Sequence, residues 1–286
     1  MKPVTTMNCV IAILAMFAVS CAYDLDSAYR ARGGYDYQKA ASSREGGYDI
    51  NAARAARGAF EGVSPAPAPA STNALPAVSE SSVDWYRAAA NKGSAGAQFC
   101  LGTIYEEGRL VPQDLSQAVI WYRQAAAQDH ADAWISLAGL YDTGKGVPQD
   151  AAQADAAWRK AAELGNVAAQ YMYAERCYQR KEPDLVQAAM WYRRAAEGGS
   201  IPAQYRMGEL MFNGQLGEPD YAEALKWYGL AAATGFADAQ YALGLMHDKG
   251  LGVARDVEKA RDFYAKAAAQ GHGTAKAALG ELAHEK

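Results

Sequence analysis

Apolar and small residues return along this chain at a long, fixed interval. Aromatic positions recur at Trp85-Tyr86, Trp121-Tyr122, Ala157-Trp158, Trp191-Tyr192, Trp227-Tyr228 and Phe263-Tyr264, in steps of 36, 36, 34, 36 and 36 residues. A second column of equivalent positions keeps that spacing: Leu101, Leu137, Tyr173, Met207, Leu243, Leu279. Each is followed by a small residue, Gly102, Ala138, Ala174, Gly208, Gly244 and Gly280. A third column is acidic: Asp114, Asp150, Asp184, Asp220, Asp256. Self-similarity at this period marks a repeat architecture.

Each repeat reads as two helices. In the first complete one, Ala97, Leu101, Ile104, Tyr105 and Gly108 fall on one face of a first helix, A, at i, i+4, i+7, i+8 and i+11. Gly102 there lets a neighbouring helix approach, at a propensity cost of ~1 kcal/mol. Gly108, Gly144, Gly214 and Gly250 stop the A helices. The second helix, B, starts at the acidic column, with Gln117, Gln153, Gln187 or Glu223 three residues on and Lys259 as the exception. That spacing resembles a capping box. Pro112, Pro148, Pro183 and Pro219 keep the A helix from running on. Gly93, Gly165, Gly199, Gly235 and Gly271 close the B helices, and Asp129 takes that place once. A single pair cannot bury both of its faces, so the repeats must stack. The predicted fold is all-α: an α/α superhelical solenoid of about five full helix pairs over 82–286, with half units at 82–92 and 275–285.

Upstream the pattern changes twice. Lys2 precedes an apolar run from Cys9 to Val19, too short to span a bilayer and suited to a signal peptide over 1–20. Ala18-Val19-Ser20-Cys21 resembles a bacterial lipobox, which makes Cys21 the lipidated first residue of the mature chain. The alternative is ordinary cleavage after Ser20 or Ala22, giving a soluble secreted or periplasmic chain. Ala22 after the Cys follows the Gram-negative sorting pattern for the outer membrane. Residues 21–81 then read as a disordered spacer. Gly-Gly-Tyr-Asp occurs at 33–36 and 46–49, a short basic helix is expected at Asn51–Phe60, and Ser64–Ala77 is rich in Pro and Ala. Such a coil spans roughly 45 Å on average.

Composition narrows the function classes. The chain has 286 residues, 50% of them hydrophobic and 21% charged, an ordinary globular balance. A net charge of −4 argues against nucleic acid as a partner. With one apolar stretch, at the N-terminus, a polytopic membrane protein is excluded. Four cysteines are too few for a disulfide scaffold.

These columns resemble the Sel-one-like repeat, a branch of the tetratricopeptide-like superfamily. The match is fullest over 237–271: Ala239, Leu243-Gly244, Gly250, Gly252-Val253, Asp256, Ala260, Phe263-Tyr264, Ala267-Ala268 and Gly271. Repeat three departs most. It is two residues shorter, has Cys177 in the Tyr column, and carries Gln179-Arg180-Lys181 where a Gly turn is expected. The resemblance implies adaptor work on protein complexes, often in bacterial envelopes, with polysaccharide export or binding as the alternative. One cysteine-rich branch is β-lactamase-like and carries paired cysteines in each repeat. Here only Cys100 and Cys177 fall in the domain, two repeats and roughly 20 Å apart. Both read as small buried hydrophobes.

Candidate chemistry is sparse, and the chain reads as a non-enzyme without cofactor or metal. Gly139–Gly146 nearly spells a P-loop but lacks the final Ser/Thr and a preceding strand. His130, His247, His272 and His284 form no pair with metal-ligand spacing. What remains is the A-helix face opposite the core, two, six and nine places after the first Ala. Tyr171 and Tyr205 fall in the first of these columns, where the family pattern also favours an aromatic. The other two place Glu175, Tyr178, Glu209 and Phe212 on a concave groove. Aromatics flanked by acids suit a peptide with basic residues. The expected partner is an envelope protein, with the membrane engaged through the N-terminal lipid.

Overall fold

The computed structural model describes residues 80–108 and 110–284, so the predicted signal peptide, Cys21 and the spacer lie outside the described residues. Among the described residues there are twelve α-helices and no strand: α1 (Glu80–Asn91), α2 (Ala95–Glu107), α3 (Leu115–Ala126), α4 (Ala131–Thr143), α5 (Ala151–Glu163), α6 (Val167–Tyr178), α7 (Leu185–Glu197), α8 (Ile201–Phe212), α9 (Tyr221–Ala233), α10 (Ala237–Lys249), α11 (Val257–Ala269) and α12 (Gly273–His284). The all-α helix-pair repeat is as the columns predict. The half units expected at the two ends are the single helices α1 and α12.

The helices group into two bodies, α1–α5 and α6–α12. Inside each, every helix packs on the next in chain order. The cores are built from column residues. In the first body Ala118, Tyr122, Ala125, Ala133 and Leu137 are buried together. In the second the corresponding set is Ala224, Tyr228, Ala231, Ala239 and Leu243.

The acidic column caps the B helix of every complete pair. Asp114, Asp184, Asp220 and Asp256 accept from the backbone N–H three residues on, at 2.9–3.0 Å. Asp150 accepts from both Ala152 and Gln153. The capping-box expectation holds for its Asp half. Gln187 is turned to other work, accepting from the Tyr173 hydroxyl and the Cys177 thiol.

One backbone bond closes every A–B turn. The N–H of the column Asp donates to the carbonyl of Tyr105, Tyr141, Cys177, Met211 or His247, at 2.9–3.1 Å. Repeat three therefore makes the same junction without a left-handed cap: Gln179 ends α6 at φ −90°. At the B-helix ends, Gly93, Gly165, Gly199, Gly235 and Gly271 lie at φ 86–92°. Asp129 occupies that place at φ 59°, in the region Asp tolerates better than most side chains.

Cys177 is buried and its thiol donates to Gln187 Oε1 at 3.1 Å. Cys100 is buried on α2, as expected, and is not bonded to Cys177.

Candidate functional site

The six residues expected to bind a partner lie on α6 and α8, the A helices of repeats three and four. The structure brings them together, but not as an open groove. Glu175 is only 8% exposed. Its Oε1 accepts from the Tyr192 hydroxyl at 2.8 Å and from Arg206 Nε at 2.9 Å. Its Oε2 accepts from Gln179 Nε2 at 2.8 Å. Arg206 then reaches Glu209 Oε2 through a second nitrogen at 2.8 Å. A buried carboxylate needs such a set of donors, because desolvating it unpaired costs several kcal/mol.

The aromatics are packed around this cluster. Tyr171 and Tyr178 lie against Tyr192, with ring centroids 5.9 and 6.5 Å apart. The Tyr178 hydroxyl accepts from Gln215 Nε2 at 3.2 Å. Tyr205 packs on Tyr228 and Phe236, and Phe212 on Tyr221 and Tyr228. The void left among Tyr178, Tyr192, Arg206 and Glu209 is about 10 Å³, no more than one water. Tyr178, Phe212 and Glu209 are half-buried and form the accessible rim.

Burial and the Glu175 carboxylate push the Tyr192 hydroxyl well above its ordinary pKa, and the same two causes raise Tyr171. Burial and Glu209 raise Tyr205. For Arg206 burial works against the charge, but Glu175 and Glu209 outweigh it and hold the guanidinium above its usual value. Two carboxylates share one guanidinium, so the cluster keeps an excess negative charge. The sequence reading missed Arg206, Tyr192 and Gln179. Arg206 was legible as the i,i+3 partner of Glu209; the bond to Glu175 crosses 31 residues and has no local signature.

Acids in the corresponding columns of the first body also tie an A helix to its B helix. Glu106 accepts from the Tyr122 hydroxyl at 2.6 Å, and Asp142 from Trp158 Nε1 at 3.1 Å. These columns hold the pairs together before they offer anything to solvent.

The remaining candidates have local structural roles. Gly139–Gly146 is the end of α4 and its turn, with Gly144 and Gly146 at φ 70° and 73°. His130 stacks on Phe99 at 4.7 Å and His247 on Phe263 at 5.7 Å. His272 Nδ1 accepts from the Ala275 N–H, capping α12, and its Nε2 lies 3.1 Å from Asp238. Among the described residues no cluster of His, Cys, Asp and Glu is placed to hold a metal ion. None of the described helices is long and apolar enough to cross a membrane.

The Sel1 repeat model matches six segments: residues 73–94, 95–130, 135–166, 167–200, 201–236 and 237–272, together more than half the chain. The chain belongs to the Sel1 repeat family. Proteins built from Sel1 repeats typically serve as scaffolds for protein–protein interaction rather than as enzymes. A Sel1 repeat protein from Oxalobacter formigenes is 28% identical, with a TM-score of 0.60 over 72% of this chain and 86% of that one. A protective antigen present in uropathogenic Escherichia coli is 32% identical, with a TM-score of 0.47 over 71% of this chain and 52% of its own. Cysteine-rich protein B of Helicobacter pylori is 21% identical, with a TM-score of 0.38 over 46% of this chain and 96% of that one. Comparison with curated proteins yields no match.

Proposed function

We propose that this Sel1 repeat protein is a lipid-anchored adaptor of the bacterial cell envelope, held to the outer membrane through Cys21 and facing the periplasm. The spacer gives the repeat domain reach, and the repeats receive a protein partner. The observation that carries this reading is the rim formed by Tyr178, Glu209 and Phe212 on successive A helices. Arg206 fixes Glu209 in place, and the cluster's excess negative charge favours a cationic partner segment. Half-buried aromatics beside a held charge are the composition of an interaction hot spot.

The test is in-cell crosslinking with mass spectrometry of the intact protein beside a Tyr178→Ala/Glu209→Ala variant. Both substitutions leave the buried Glu175–Arg206 pair intact. One dominant envelope protein, captured by the intact chain and lost in the variant, supports the reading. Glycan recovered without a protein partner overturns it and moves the function to polysaccharide binding. The anchor is tested separately: Cys21→Ser is expected to move the protein out of the membrane fraction, and an unchanged fraction refutes lipidation.

A further inference from the structure

The first of the two aromatic columns is broken once. Trp85, Trp121, Trp191, Trp227 and Phe263 occupy it elsewhere, but repeat two has Ala157. In repeats one, three and five the aromatic packs on its own repeat's A helix, at places four or eight after the first Ala. Trp121 packs on the cluster holding Leu101 and Tyr105. Trp191 meets Tyr173 edge-on at 5.7 Å, and Phe263 stacks on His247 at 5.7 Å. The equivalent places in repeat two are Leu137 and Tyr141. They do not meet an aromatic from Ala157. They line a cleft of about 220 Å³, with Ala157 in its wall.

The neighbouring indole does not refill this space. Trp158 turns its ring nitrogen to Asp142 at 3.1 Å. Trp134, Arg123 and Gln153 also line the cleft, with Ala126, Ala127 and Ala156. Trp134 is itself a departure, standing where the other repeats have Gln98, Gln170, Gln204 and Gln240. In three of those repeats the Gln amide donates to a carbonyl at the end of the preceding B helix, from Ala90, Ala196 or Ala232. Repeat two has thus exchanged a polar tie for an aromatic wall and a Trp for an Ala, and both changes face one cleft. Arg123 is exposed and spends one bond on the Tyr141 hydroxyl at 2.9 Å, which leaves further guanidinium donors for a ligand.

We propose that this cleft is a binding site for one planar aromatic group bearing a carboxylate, its ring seated where the absent column aromatic would lie and its acid on Arg123. The ring gains an apolar seat between Leu137, Trp134 and Tyr141, in the offset geometries aromatic pairs favour. The volume is below the roughly 300–1,000 Å³ of drug-sized sites, so it takes a single ring system. The chemistry is shared by a free aromatic acid and by a Trp-Glu step in a partner peptide.

Binding to the full chain is read by saturation-transfer NMR and calorimetry. The probes are indole-3-acetate, indole, and a capped tetrapeptide carrying Trp followed by Glu. Indole-3-acetate is expected to bind, and Arg123→Gln to weaken it about tenfold while leaving indole unchanged. Ala157→Trp restores the column and is expected to abolish binding of every probe; Ala157→Leu, a smaller filling, is expected to do the same should the Trp variant not fold. The tighter of indole-3-acetate and the peptide identifies the source. No binding at about 10 mM, or binding indifferent to filling at position 157, overturns the site. Equal affinity for indole and indole-3-acetate, with no effect of Arg123→Gln, overturns the carboxylate.

Discussion

Gly102 on α2 faces the ring of Tyr122 on α3 so closely that a Cβ on the glycine would lie 2.7 Å from two ring carbons. Gly208 and Tyr228, and Gly244 and Tyr264, stand in the same relation, at 2.5 Å. The small column and the second aromatic column are two halves of one contact. It sets how near the A and B helices of a repeat come.

Two alanine substitutions in helices therefore have opposite signs. Elsewhere in a helix, Gly→Ala gains up to about 1 kcal/mol. At Gly102 or Gly208 the new methyl overlaps a buried Tyr ring, and overpacking of this kind costs about 1–3 kcal/mol. At Gly139 on α4 nothing lies within 4 Å of the added carbon, so Gly139→Ala is expected to stabilise by about 0.5–1 kcal/mol. Urea unfolding of the three variants measures this. A stabilised Gly102→Ala would mean the Tyr122 ring moves aside freely.

The Arg206 guanidinium is the main charge partner of buried Glu175. Arg206→Met is expected to destabilise by about 3 kcal/mol, because it leaves a buried carboxylate served by the neutral donors Tyr192 and Gln179 without its cation. Arg206→Met combined with Glu175→Gln removes both charges and is expected to recover much of that loss. Denaturant midpoints of the two single variants and the double variant close the cycle. Additive losses would show that the two groups are not coupled.

Two histidines set a dependence on pH. Burial lowers the pKa of His130 from its ordinary 6.5. For His247 burial and then Lys259 do the same. Both folded-state values lie below the unfolded one, so the unfolded chain takes up protons first as pH falls. Their contribution to stability is complete above about pH 6.5 and declines below it, toward the lowered folded values. The thermal midpoint is expected to drop from pH 7.5 to pH 5.5. The drop shrinks in a His130→Gln/His247→Tyr variant, the second change restoring the residue this column has at Tyr105 and Tyr141. An equal drop in the variant would assign it to other groups.

The repeat itself was legible because it is written in spacing. The Asp caps, the terminal glycines and the aromatic pairs all follow from local rules applied at one period, and the helices fall where those rules place them. The candidate site was legible only in part. Helical periodicity puts Glu175 and Glu209 on the A-helix face turned from the core, as if that face met solvent. In a stacked repeat the neighbouring pair covers much of it. Arg206 and Tyr192 arrive from α8 and α7 to enclose Glu175, and no single-helix projection contains that encounter. Ala157 was visible in the sequence as a weak member of its column, but the cleft depends on where Trp158 points, which only the folded chain shows.

Every junction between the helices of a pair shares one bond between main-chain atoms, from the column Asp N–H to a carbonyl nine residues earlier, or seven in repeat three. A bond that ignores side chains places no demand on the residue whose carbonyl it uses. Tyr, Cys, Met and His all serve there, and repeat three omits two residues without losing it. The A–B loop is thus a seam at which such a protein can drift, lengthen or accept a graft during evolution, while the helices on either side keep their meeting.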